Sequence, residues 1–429
     1  MAALVLILIF VVLTVLGSPI GVALGVSCLC ALAAFDLGFQ MTGANFVSAI
    51  ASFPLLAIPF FVLAGGVLQR AGLATRIARL FELLVGRMPG GLAVVSVATC
   101  MFWGALSGSG PATTVAVGMI LIGPMVKHGY DRNFAAATIA NASDLSIIIP
   151  PSIAFIIYGN LTGTNVSALF LAGVIPGVLC GLGIAAVAWG ISLVHGYTGL
   201  ERRGSLGDIG RAFFGAFWAL MAPVIILGGI YLAVFTPTEA AVVAVVYSLF
   251  VAMVIYRTVR WGDLLPIFVE SAVTSSVIMF IVVFAGLFSW AASTTGIVDV
   301  TARFLIERSP NALVTVLLVN MLLLGLGMFL DAISISYLVM PILMPVIEAF
   351  RLDPVWYGVV FITALAIGQI TPPVGVNLAA VANLAGTDMD SVSRKLLPYI
   401  AVNVVVLIIL TLFSGLALYL PAKAGLVAR

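Results

Sequence analysis

The sequence predicts an all-α polytopic membrane protein made of two inverted repeats, each with one re-entrant hairpin and one Pro-broken helix. Three observations carry that expectation. Hydrophobic residues make up 63% of the 429 positions and charged residues 8%, too few to clothe a water-soluble surface, and apolar stretches of spanning length recur from end to end. Two segments echo each other: Ile149-Pro150-Pro151 running on to Asn160-Leu161-Thr162-Gly163-Thr164, and Thr371-Pro372-Pro373 running on to Asn383-Leu384-Ala385-Gly386-Thr387. They lie 222 residues apart at the prolines (150 to 372) and 223 at the asparagines (160 to 383). The basic residues, finally, are distributed unevenly between alternate loops.

The elements follow in order. Short spans are expected at about 3–16 and 20–35, split by Gly17-Ser18-Pro19. No Lys or Arg precedes Arg70, so the first apolar segment lacks the basic start of a secretory signal and reads as a retained span with its N-terminus outside. A polar loop from Asp36 to about Ser52 and a span at about 54–69 come next. Arg76, Arg79, Glu82 and Arg87 then punctuate an apolar pattern, as in a helix lying along the interface. The stretch from 91 to 126 has basic residues at both ends (Arg87; Lys127, Arg132) and Ser107-Gly108-Ser109-Gly110-Pro111 in its middle. It is too long and too interrupted for one span, and a re-entrant hairpin fits it. A span at about 133–158 is broken by Pro150-Pro151, and another at about 169–194 leads to a loop holding Arg202, Arg203 and Arg211.

The second half repeats the order. Spans at about 213–235, 240–256 and 265–290 precede a segment with Arg303 and Arg308. A hairpin at about 313–346 carries Phe329-Leu330-Asp331-Ala332 near its tip, a span at about 355–382 is broken by Pro372-Pro373, and a last span covers about 397–420. Residues 1–211 and 212–429 thus form two repeats, with Pro124/Pro345, Ala78-Arg79/Ala302-Arg303 and Pro176/Pro398 as further matched landmarks. Five full spans per half put the second repeat in the opposite orientation. With both termini outside, 13 of the 18 Lys and Arg fall inside, among them Arg257, Arg260, Arg394 and Lys395. Arg303, Arg308, Arg351, Lys423 and Arg429 fall outside.

Matched interruptions in two halves of a membrane protein point to a solute site. A hairpin tip or a broken helix leaves backbone carbonyls and amides unpaired at membrane depth, where irregular backbone persists only if protein or a polar cavity satisfies it. Carbonyls at a half-helix C-terminus suit a cation, and amides at an N-terminus suit an anion. Hard cations take oxygen ligands. The first cation candidate therefore combines Ser107, Gly108 and Ser109 with Asn141 and the carbonyls before Pro150. The second combines Asp331, Ala332 and Ser334 with Gln369 and Thr371. The competing reading, that these Ser and Gly residues serve close helix packing, loses ground because both motifs recur beside a proline pair. Ser152 and Asn377, just past the breaks, are the substrate candidates. Asn160, Thr164 and Asn383 are weaker ones, since turns explain the asparagines as well. Intramembrane acids are costly: Asp331 is read as functional, Asp144 either as functional or as facing water or a loop, and Glu239 as a helix N-cap.

Other chemistries find little footing. The net charge of +2 sits in short loops and gives no nucleic-acid signature. Cys28, Cys30, Cys100 and Cys180 lie in apolar stretches without metal-ligand spacing, so no transition metal is expected, and His128 and His195 fall at span ends. No G-x-x-x-x-G-K-[ST] or H-E-x-x-H occurs, and Ser109 has no evident His or Lys partner for a serine hydrolase. No catalytic residue is expected.

The order S-G-S-G-P-A-T-T (107–114), I-P-P-S-I (149–153), T-P-T-E-A-A (236–241) and T-P-P-V-G-V-N (371–377) resembles the DctM-like large membrane subunit of tripartite ATP-independent periplasmic (TRAP) transporters, over essentially the whole chain. The resemblance implies a sodium-coupled importer of a small organic acid in the bacterial inner membrane, with Na+ as coupling ion and no other cofactor. It implies an elevator-type fold, in which both hairpins and both broken helices form a transport domain moving against a scaffold of the remaining spans. It also implies two protein partners, a small four-span DctQ-like subunit and a periplasmic DctP-like binding protein, besides the surrounding lipid. Gly110 departs from the pattern, since members often carry a serine there, which removes one side-chain ligand. The chain has no four-span N-terminal extension, so the small subunit is expected as a separate protein. Two alternatives stand beside this reading: a stand-alone ion-coupled carboxylate or anion transporter, and, further off, an intramembrane hydrolase.

Overall fold

A computed structural model describes residues 1–35, 38–200 and 205–427. Asp36, Arg202, Arg203 and Arg429, used in the loop and charge readings above, lie outside them. Among the described residues the regular structure is entirely helical. The first half contains α1 (Ala2–Val15), α2 (Ile20–Ala34), α3 (Thr42–Ile50), α4 (Ala57–Arg70), α5 (Leu73–Val85), α6 (Gly91–Ser107), α7 (Gly110–Lys127), α8 (Arg132–Ser143), α9 (Leu145–Ile148), α10 (Ile153–Thr162) and α11 (Val166–Val194). The second contains α12 (Leu206–Tyr231), α13 (Pro237–Phe250), α14 (Trp261–Thr294), α15 (Ile297–Arg308), α16 (Ala312–Gly327), α17 (Ala332–Ala349), α18 (Pro354–Ile370), α19 (Val376–Ala385), α20 (Met389–Leu412) and α21 (Gly415–Lys423). Nine segments of the described chain are helical, long and apolar enough to cross a membrane.

From α5 to α11 and from α15 to α20 the halves match in order, with the single α18 answering α8 and α9 together. The starts at 73, 91, 110, 132, 153 and 166 are answered by 297, 312, 332, 354, 376 and 389, offsets of 221 to 224. The local causes repeat as well. Asp131 caps α8 by accepting from Phe134 N (2.8 Å), and Asp353 caps α18 by accepting from Val355 N (2.9 Å). Asn165 caps α11 through Ser167 N and Asp388 caps α20 through Ser391 N, each at 2.8 Å. Gly163 and Gly386 end α10 and α19 with φ of +68° and +63°, the left-handed position that favours glycine. This explains the second part of each echoed segment: it is a helix stop. Pro150-Pro151 and Pro372-Pro373 are both cis.

The two halves complete each other's cores. α8 packs on α20 of the other half, where Thr138 Oγ1 and Tyr399 Oη lie 2.7 Å apart and Asn403 Nδ2 donates to Asn141 Oδ1 (2.8 Å). Reciprocally, α18 packs on α11. α19 packs on α7 and α10 on α17. The broken helices are therefore the most enclosed elements: every residue from Phe134 to Ser143 and from Tyr357 to Ile370 is buried. α14 is the opposite case, 34 residues long with nine buried.

Several boundaries differ from the sequence reading. The span expected at about 213–235 runs Leu206–Tyr231, because Ser205 caps it by accepting from Asp208 N, and Arg211 lies inside the helix rather than in the loop. The polar stretch before Ser52 contains α3, whose Phe46 meets Phe284 edge-on at 5.3 Å between ring centroids. Nine residues of mixed polarity escape a span-length hydropathy window, yet they suffice for an amphipathic helix lying on α14. The last span runs Met389–Leu412 rather than 397–420. It starts early because Asp388 caps it despite the charged first turns, and it stops where Phe413 leaves helical geometry (φ −120°, ψ 80°) before α21. α1 and α2, at 14 and 15 residues, fall short of the roughly 20 residues of a full span. Glu239 forms the expected cap: Thr236 N and Oγ1 donate to Glu239 Oε2 at 2.8 and 2.9 Å, and Glu239 N donates back to Thr236 Oγ1 at 3.3 Å.

Backbone-to-backbone contact between α16 and α18 leaves no room for a side chain: a Cβ built on Gly368 falls 2.6 Å from Gly327 Cα. Gly368→Ala is expected to lower stability by about 1–3 kcal/mol as overpacking, read as a drop in melting temperature of the purified protein. Gly123→Ala, where no heavy atom lies within 4 Å of a built Cβ, leaves it unchanged.

Candidate functional site

Each hairpin tip is bonded to the helix break of its own half in the same way. Ile153, after the first proline pair, donates its N–H to Gly108 O (3.4 Å), and Gly375, after the second, donates to Met328 O (2.9 Å). One turn away the hairpin and the broken helix touch at small residues in both halves, Gly104 against Ser146 and Gly327 against Gly368. Gly108 (φ +60°) and Gly375 (φ +51°) occupy conformations that glycine tolerates. Side chains there would also collide with backbone: a built Cβ lies 2.8 Å from Pro151 O at 108 and 2.9 Å from Gln369 O at 375.

A cavity of about 470 Å³ lies between the two tips and the two breaks. The first half contributes Gly108, Ser109, Gly110 and Ile153, and the second contributes Asp331, Ala332, Gln369 and Val376. The remaining wall is α14, largely apolar with Thr274 as its polar atom source. The volume falls in the range of small-molecule sites, which are mostly apolar with a few placed polar groups. Among the described residues lining it, Asp331 is the one charged side chain. A smaller cavity of about 170 Å³ adjoins it, sharing Ser109, Ile153, Thr274 and Ile278 and reaching Gln69 on α4 and Glu270 on α14. Glu270 there pairs with Arg70 at 2.8 Å.

The two tips differ chemically. The first is a chain of neutral hydroxyls: Ser146 donates to Thr113 Oγ1 (2.7 Å), which lies 2.7 Å from Ser107 Oγ. Ser109 N donates to Ser107 Oγ at 3.4 Å. The second is a carboxylate cap. Asp331 Oδ1 accepts from Ile333 N (2.9 Å) and Ser334 N (3.0 Å), and Oδ2 accepts from Ser334 Oγ (2.7 Å).

Of the residues singled out from sequence, Ser107, Gly108 and Ser109 come together at the first tip. Asp331, Ala332 and Gln369 share the cavity wall, and Ser334 sits against Asp331. Thr371 donates its hydroxyl to Ile367 O within α18 (2.6 Å). Asn141 faces α20 and accepts from Asn403, away from the tip residues. Ser152 is fully buried, donates to Ile147 O (2.7 Å) and caps α10. Asn377 is also fully buried and donates to Asp144 Oδ1. Neither Ser152 nor Asn377 lines the cavity. Asn160 accepts from Ser52 and, with Thr164, lines a separate cavity beside Thr236 and Thr238; Asn383 is exposed. Thr113 and Ser146 were missed. Thr113 falls in the T-T that closes the first tip motif, and its spacing from Ser107 was the available signal.

The chain matches, over residues 7–416, the family described as tripartite ATP-independent periplasmic transporter, DctM component. It is 39% identical over 374 residues to the C4-dicarboxylate TRAP transporter large permease protein DctM of Pseudomonas aeruginosa, covering 87% of each chain. It is 36% identical over 411 residues to the isethionate TRAP transporter permease protein DctMQ of Oleidesulfovibrio alaskensis, covering 96% of this chain and 65% of that relative, so it spans about two thirds of that longer protein. Its fold is similar to that of the YdaH transporter of Alcanivorax borkumensis, with a TM-score of 0.65, 16% identity and 88% of each chain covered. The chain belongs to the DctM family of TRAP transporters. It is a multi-pass protein of the bacterial inner membrane and a transporter rather than an enzyme.

Asp331→Ala removes the α17 cap and is expected to cost about 1 kcal/mol of stability. Asp331→Ser keeps a capping oxygen and recovers most of it while leaving the cavity uncharged. Thermal melting of the two variants beside the parent reads the difference.

Proposed function

We propose that this chain is the large permease of a secondary, sodium-coupled transporter that imports a small organic acid from a periplasmic binding protein, with a small four-span subunit as membrane partner. The observation that carries the sodium coupling is the charge of the central cavity. Its lining offers an anionic substrate one carboxylate, Asp331, and no basic side chain among the described residues. An organic anion entering a low-dielectric cavity beside a carboxylate needs positive charge, and co-bound cations supply it. The donors near each tip are oxygens, the ligand type that sodium takes: Ser107, Ser109, Thr113 and Ser146 at the first, Asp331, Ser334, Gln369 and the neighbouring carbonyls at the second. Cation binding then raises the affinity for the anion, and the anion that for the cation, which is the coupling a symporter requires.

The position of the cavity supports an elevator step. One side is made of hairpin tips and helix breaks, the other of α14, and the adjoining cavity lies between the first tip and α4. Sliding the hairpins and broken helices as one body past the remaining helices carries the cavity from one membrane face to the other without dismantling either tip. The names of the relatives include a C4-dicarboxylate and isethionate, which supports the class of a small organic acid for this chain. The name DctMQ supports a second membrane component. The inside bias of Lys and Arg supports termini on the periplasmic side.

In proteoliposomes holding both membrane subunits and supplied with the binding protein, uptake is expected only with an inward sodium gradient. Uptake that persists with potassium in place of sodium, or without the binding protein, overturns the proposal. A periplasm-active phosphatase fused behind residue 427 is expected to be active, and a cytoplasmic fluorescent reporter at the same place dark.

A further inference from the structure

We infer that a groove between α7 and the end of α19 binds an anionic phospholipid, with the headgroup phosphate held by Lys127 and Arg132. A cavity of about 680 Å³ lies there, apart from the central one, with Gly118, Met119, Ile122 and Gly123 along its length and Lys127 and Arg132 at one end. Leu384 and Ala385 of the second half form the opposite wall. The turn from α7 to α8 is tight: Tyr130 N donates to Met125 O (3.1 Å) and Gly129 has φ +83°. It returns the chain so that both cations line one cavity. Arg132 Nη1 donates to Ala385 O at 3.1 Å, which holds the guanidinium at the C-terminal end of α19 with further N–H donors left over. Lys127 has no ion pair among the described residues. Asp131, between the two in sequence, turns to Phe134 N as the α8 cap. Among the described residues no acidic side chain lines the cavity.

A Lys and an Arg at helix ends are ordinarily explained by the inside bias alone. Two observations go beyond it. The groove has the dimensions of a lipid: from Gly118 to Lys127 a helix rises about 14 Å, one leaflet of a hydrocarbon core roughly 30 Å thick. Met119 and Gly123 are exposed, and a Cβ built on Gly123 meets no heavy atom within 4 Å, so the groove is open towards the surrounding membrane. The matching hairpin, moreover, lacks these features. With Pro124 set on Pro345, Gly118, Gly123 and Lys127 of α7 correspond to Val339, Met344 and Glu348 of α17. Helix packing within the repeat therefore demands neither the space nor the positive charge, yet the first copy has both together. An apolar slot ending in two cations complements an acyl chain ending in a phosphate. A free phosphate leaves the slot empty, and an apolar helix of a partner leaves the cations unpaired. The leaflet that supplies the lipid, the cytoplasmic one, rests on the orientation proposed above; the site itself does not.

The test places the full-length protein with its small membrane subunit in nanodiscs of phosphatidylcholine. Phosphatidylglycerol with a photoactivatable acyl chain is added, and the crosslinked residues are mapped. Labelling is expected within 118–126 and at 384–385. Unlabelled phosphatidylglycerol is expected to compete about fivefold or more better than phosphatidylcholine of the same chains. Lys127→Gln, at an exposed position, is expected to raise the competing concentration of phosphatidylglycerol about fivefold and to leave that of phosphatidylcholine unchanged. Gly123→Leu, which fills the groove and keeps both cations, is expected to weaken labelling. Equal competition by the two lipids marks ordinary boundary lipid and overturns the proposal. Competition by inorganic phosphate as strong as that by phosphatidylglycerol assigns the cations to a free anion and overturns it. Absence of labelling in this segment leaves the groove to a protein occupant and overturns it as well, as does unchanged labelling in either variant.

Discussion

Backbone left unpaired inside a membrane has to be satisfied by protein, and the rest of this molecule is arranged around that constraint. Two helices are interrupted by cis proline pairs, so each exposes amides and carbonyls at depth. Both are met by a hairpin tip from their own half, through Ile153 N to Gly108 O and Gly375 N to Met328 O. The close approach this needs accounts for glycine at 104, 108, 327, 368 and 375. The same approach brings two tips and two breaks around one cavity. The candidate site and the solution to the hydrogen-bonding problem are one structure.

The two copies have diverged in chemistry while keeping this frame. Caps, stops and tip-to-break bonds recur at offsets of 220 to 224 residues (108 to 328, 73 to 297). The tips themselves differ: a two-residue turn with a neutral hydroxyl chain in the first half, and a four-residue turn ending in the Asp331 cap in the second. The first tip thus offers neutral oxygens and the second a carboxylate.

Much of the frame was legible because membrane helices announce themselves by length, apolarity and their breakers. The hairpins, the broken helices and the Glu239 cap follow from residues such as Gly108, Pro150, Pro372 and Pro237, whose backbone effects are local. α3 was not legible, since its nine residues signal only through packing on Phe284. The end of the last span at Leu412 was missed for a similar reason, as no proline or charge marks Phe413. Among candidate site residues, Ser107, Ser109 and Asp331 could be named from tip motifs. The inward roles of Thr113 and Ser146, and the pairing of Asp144 with Asn377 across 233 positions, could not, because the direction a helical side chain faces depends on which helix packs beside it.

The amino-acid sequence by itself determined that this chain lies in a membrane, that it is built twice over, and where each copy is interrupted. Those properties are carried by composition and by residues that act on their own backbone. Tertiary structure alone decided which polar groups meet. The crossing of α8 onto α20 and of α19 onto α7 buries Asn141 and Asn377 against the opposite half, while Asp331 and Gln369 turn to the cavity. Such partnerships join residues hundreds of positions apart, and no local preference encodes them.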